Sequence, residues 1–91
     1  MAENKSSKRI NEIGMYSGTF RITNSYSDAS NPIDSIEILE ETTFSALESL
    51  SGDDVLAISG LSTITAGVVL TWNESFKSMT TDVPVKINLT N

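Results

Sequence analysis

The strictest constraint in this chain is a run of period two near its end. Val83, Val85, Ile87 and Leu89 fall on one phase, and Asp82, Pro84, Lys86, Asn88 and Thr90 fall on the other. Successive side chains of a strand point to opposite faces, so the run predicts a strand with one buried face. Pro84 has no N–H to donate to a ladder, which predicts an edge strand or a strand start. The same period recurs upstream. Tyr16, Phe20 and Ile22 share a phase against Met15, Ser17, Thr19, Arg21 and Thr23, which predicts a half-buried strand. Ile36 and Ile38 alternate with Ser35, Glu37 and Leu39, and Phe76, Ser78 and Thr80 with Lys77 and Met79. Val55, Ala57 and Ser59 likewise alternate with Leu56, Ile58 and Gly60.

Two segments break the pattern. Residues 24–32, NSYSDASNP, are dense in side chains that bond to nearby backbone, which predicts a loop. Phe44, Leu47 and Leu50 recur every three residues and Gly52 follows, which predicts a short helical turn. Gly67 precedes an apolar run from Val68 to Trp72, and Asn73-Glu74 reads as a tight turn. Short strands at this spacing predict an all-β domain, a small sandwich or barrel with one short helical turn. Its expected bounds are residues 15–91, behind a flexible basic arm at 1–14.

The chain has 91 residues, of which Leu, Ile, Val and Phe make up 24, enough for a core but a marginal one. It has no cysteine and no histidine, so neither a disulfide nor a zinc knuckle can supplement that core. Contact with other subunits is the remaining source of burial. No apolar run reaches 18 residues, so no helical membrane span is expected, and no basic start leads into an apolar stretch of the secretory kind.

Charge is uneven. Residues 1–21 carry Lys5, Lys8, Arg9 and Arg21 against Glu3 and Glu12, a net of +2, and residues 22–91 carry two lysines against ten acids, a net of −8. An acidic body repels phosphate backbones, so no nucleic-acid partner is expected. The basic start is either a solvated tail or a docking arm.

Little here can react. Without histidine or cysteine, neither a Ser-His-Asp nor a Cys-His nucleophile system can be built, and no enzyme is expected. Glu40-Glu41 and Asp53-Asp54 are paired acids, but sequence neighbours on a strand point to opposite faces, so they read as solubilising groups at strand ends. No calcium loop and no phosphate-binding glycine loop occurs, so no metal and no cofactor is expected. Trp72, the single tryptophan, is in phase with Val68 and Leu70 and reads either as core or as an interface anchor.

From Thr42 onward the order of features resembles a loose group of short phage structural proteins. The matching pieces are Thr43-Phe44, Leu61 to Leu70 (LSTITAGVVL, read as a hairpin), Phe76 to Thr80 (FKSMT) and the terminal strand Val83 to Ile87. The resemblance implies a virion component, a capsid decoration or cement subunit that binds the shell and bridges its neighbours. It would be made in the host cytoplasm and carried on the outer surface of the capsid or tail. Its partners would be the major capsid protein or other virion subunits, with copies of itself on the particle. The other function it leaves open is a tail-fibre or adhesin-like module binding a host receptor or glycan. Candidate contact residues are Lys5, Lys8, Arg9, Ile10 and Ile13 in the arm, Trp72, and Val85 and Ile87 in the terminal strand as a site of subunit pairing.

Overall fold

The structure, a computed structural model, describes residues 19–90. Lys5, Lys8, Arg9, Ile10 and Ile13, and with them the expected arm at 1–14, lie outside the described residues. The body is all-β with one short helix, as the alternation predicts. In chain order it runs β1 (Phe20–Ser27), β2 (Ile33–Glu37), β3 (Thr42–Ser49), α1 (Val55–Ser59), β4 (Thr63–Ile64), β5 (Val69–Leu70) and β6 (Phe76–Leu89).

Everything is arranged around β6. The two predicted strands Phe76–Thr80 and Val83–Ile87 are one strand of 14 residues. The sheet order is β4-β3-β6-β2-β5, and β1 pairs with β6 as well. β1 runs along one side of β6, from Phe20 beside Asn88 to Ser27 beside Ser78. The other side is shared. β3 takes the first half, from Phe44 beside Thr81 to Ser49 beside Phe76. β2 takes the second half, with Ser35 beside Asn88, Ile36 beside Ile87 and Glu37 beside Lys86. Ile33 lies beside Leu89 at one end of β6 and beside Phe76 at the other, so the strand curls until both ends meet one residue. That curl gives the barrel-like form.

The corner sits where Pro84 stands. Thr23 pairs with Val85 and Ser25 with Thr80, so one β1 residue spans the stretch Thr81–Pro84 of β6. Pro84 is therefore neither on an edge strand nor at a strand start. It sits in the central strand, at a bulge where the ladder is already interrupted and no donor is needed. The Thr81 hydroxyl donates to the Val83 carbonyl (2.7 Å), and Asp82 Oδ1 accepts from the Thr43 amide (2.8 Å). Both hold the bend.

Three local expectations are corrected. The segment holding Phe44 and Leu47 is strand β3 and not a helical turn. Its register shifts between Phe44 and Ala46 and again between Glu48 and Ser49. The extra residue at Ser45 returns Leu47 to the face of Phe44, which produces three-residue spacing in a strand. The helix lies instead at Val55–Ser59, where strand alternation was expected. Asp54 caps its start, accepting from the Ala57 amide (3.2 Å), and Gly60 ends it at φ 73°, donating its amide to the Leu56 carbonyl. The stretch Leu61–Leu70 is not a hairpin. β4 pairs with β3 and β5 with β2, and the turn at Gly67 (φ 92°) is anchored by its amide to the Ile38 carbonyl (2.8 Å). β1 also runs on through Ser27, four residues into the expected loop.

The core follows from these pairings. Ile33, Ile36 and Ile38 meet Val85, Ile87 and Leu89, and Phe44, Leu47, Val55, Phe76 and Met79 close the other end. Tyr26 is buried too, its hydroxyl donating to the Asn31 carbonyl (2.6 Å). Desolvation, with Asp28 nearby, raises the Tyr26 hydroxyl pKa, and Arg21 partly opposes this.

Candidate interaction surface

Several carboxylates serve local structure. Asp54 caps α1, Asp82 holds the corner, and Asp28 Oδ1 accepts from the Ser30 amide (2.9 Å). Glu48 accepts from the Ser78 hydroxyl (3.4 Å) and lies 3.8 Å from Lys77 Nζ. It lines a half-open groove of about 300 Å³ with Ser45, Leu47, Asp54, Leu56 and Ser78. Both of the groove's carboxylates already have these structural partners. No group of three His, Cys, Asp or Glu converges among the described residues.

Glu74 is engaged by serines. Its Oε2 accepts from the Ser51 hydroxyl and from the Ser51 amide (3.3 Å), fixing the turn after β3. The Ser51 hydroxyl first, then the Ser49 side chain, hold its pKa below the ordinary 4.5. The sign follows. A carboxyl with a depressed folded pKa adds stability that is complete above its unfolded pKa and is lost as pH falls through the folded one. Thermal melts from pH 6 down to pH 3 should therefore show a smaller decline for Glu74→Gln than for the parent. Parallel declines would refute the bond's contribution.

Besides Leu50 and Ile58, which stand singly, exposed apolar side chains gather at two places among the described residues. On β1, Phe20 is 60% exposed and Ile22 is 52% exposed. Near β5, Val69 is 57% and Leu39 is 51% exposed, and Val68 adds to them. Phe20 and Ile22 were expected to face inward. They share the outer face of the sheet with Lys86 and Asn88, while Val85 and Ile87 point to the core. Lys86 Nζ sits 4.8 Å from the centre of the Phe20 ring and 3.4 Å from Glu37 Oε2. Asn88 Nδ2 donates to Glu37 Oε2 (2.8 Å) and to Ser35 Oγ (3.0 Å), which fixes its amide orientation. Its Oδ1 is buried without a partner among the described residues.

β1 also has a backbone edge with which no strand pairs among the described residues. The Leu89 amide donates to the Thr19 carbonyl (2.7 Å), and the Asp28 amide donates to the Lys77 carbonyl (2.9 Å). In an antiparallel ladder these bonds turn the backbones of Arg21, Thr23 and Tyr26 toward β6 and those of Phe20, Ile22, Ser25 and Ser27 away from it. At Ser25 the outward groups are occupied locally. The Thr23 hydroxyl donates to the Ser25 carbonyl (3.0 Å) and accepts from the Ser25 amide (3.3 Å). At Phe20 and Ile22 no such partner exists among the described residues.

Of the expected contact residues, Trp72, Val85 and Ile87 lie among the described residues. Val85 and Ile87 are fully buried in the core, and β6 is central, with β1 on one side and β2 and β3 on the other. The terminal strand therefore offers no edge for subunit pairing. Trp72 is half-buried against the core, its Nε1 buried without a hydrogen-bond partner among the described residues. Sequence reasoning missed Phe20 and Ile22 as surface. Alternation marked the strand but not which face is covered. Compared with known proteins, the chain matches no family model, no curated protein and no solved structure.

Proposed function

We propose that the chain is a structural subunit of a phage virion, a capsid decoration or cement protein that binds the shell and bridges neighbouring subunits. The observation that carries this is the exposed apolar pair Phe20 and Ile22 on a strand edge that nothing among the described residues covers, on a small all-β body. Such a surface works by contact area and needs no reacting group. The sequence resemblance supplies the virion context. A receptor-binding module would want an aromatic platform, but Tyr26 is buried and Trp72 packs against the core.

The test is made on intact particles. Mass spectrometry of purified virions should find the chain in many copies, with cross-links from Lys5 or Lys8 to the major shell protein. Its absence from particles would overturn the proposal. Deleting residues 1–12 should weaken shell binding, as measured by co-sedimentation. Unchanged binding would leave the body alone responsible.

A further inference from the structure

We propose that the Phe20–Ile22 stretch of β1 is a strand-addition site for an extended segment of another protein that reads apolar–acidic–apolar. This goes beyond the decoration reading and does not depend on it. Phe20 and Ile22 turn their N–H and C=O groups away from β6 and have no partner among the described residues. Four such groups two residues apart match the repeat of one added antiparallel strand. The Thr23 hydroxyl occupies the outward groups of Ser25, so the ladder cannot extend past the bulge, and the site is short by construction.

Side chains then select the partner. Residues opposite Phe20 and Ile22 lie on the outer face beside two exposed apolar groups and should be apolar. The residue opposite Arg21 falls in a pair not joined by hydrogen bonds, where side chains approach most closely. Arg21 lies 5.4 Å from the Tyr26 ring centre, and no carboxylate among the described residues pairs with it, whereas Lys77 and Lys86 are paired with Glu48 and Glu37. An unpaired guanidinium at that position selects an acid. Residues 19–90 carry Arg21, Lys77 and Lys86 against ten acids, a net of −7. Two of those three cations, Arg21 and Lys86, border this stretch, so charge complementarity is local to it. A second copy of β1 fits less well, because pairing Phe20 with Ile22 across a two-fold would set Arg21 against Arg21.

Titration of the full ¹⁵N-labelled chain with the synthetic peptides acetyl-TVEVT-amide and acetyl-TVKVT-amide tests this. The glutamate peptide should shift the Phe20 and Ile22 amides and slow their exchange with solvent, and the lysine peptide should bind roughly tenfold more weakly. Arg21→Glu should reverse that preference. Ile22→Pro should abolish binding and keep native spectral dispersion, because the Ile22 amide points away from β6. Four results would overturn the proposal. They are equal effects of the two peptides, no shift at millimolar peptide, concentration-independent protection of both amides in the free chain, and protection that grows with protein concentration. The last two would assign the edge to residues 1–18 and to a second copy.

Discussion

Val85→Asp should leave the chain unable to fold. Val85 is fully buried, and it lies just past the corner, where β1 re-registers on β6. An aspartate there places a carboxylate among Ile33, Ile36, Ile87 and Leu89 with no cation in the cluster. Burying a charge without a partner costs at least about 4 kcal/mol, comparable to the whole stability of a domain this small. Circular dichroism should lose the strand signal, and proton NMR should lose its dispersion at 25 °C. A dispersed spectrum with a cooperative melt would contradict the core assignment. Val85→Ile, which keeps the apolar character, should retain the fold and serves as the control.

Phe76→Ala should be the next most damaging substitution, at about 3–5 kcal/mol. Phe76 is 1% exposed and opens β6 where that strand meets Ile33. The same Ile33 meets Leu89 at the far end of β6, so the ring fills the space where the curled strand closes on itself. Removing it leaves a cavity bounded by β2, β3 and both ends of β6, which the walls cannot collapse without opening the closure. Chemical denaturation should show a lower midpoint with an unchanged slope. A loss below about 1 kcal/mol would mean that the closure does not rest on this ring.

The sequence made some of this legible and hid the rest for physical reasons. The alternation from Val83 to Leu89 was readable because each aliphatic of that phase faces a single covered side. The continuity of β6 across Pro84 was not, because a bulge removes the need for the missing N–H, and only the partner strand reveals the bulge. Phe44 and Leu47 mimic a helix because an extra residue was inserted between them, and α1 mimics a strand because five residues are too few to show a helical period. Asp54 and Gly60 were the visible signals for that helix, a cap at each end. On the candidate surface, the alternation of Phe20 and Ile22 was plain but its sense was inverted. Periodicity reports that two faces differ and not which one meets the core.

The position of β6 has a consequence for synthesis. Strands β1, β2 and β3 leave the ribosome before the strand that joins them, so each emerges with its backbone groups and apolar face unmatched. Little of the sheet can be locked in during translation. The nascent chain must reach at least Leu89 before its barrel can close, and until then chaperones have the 56 residues from Phe20 to Ser75, with the unjoined strands among them, to shield.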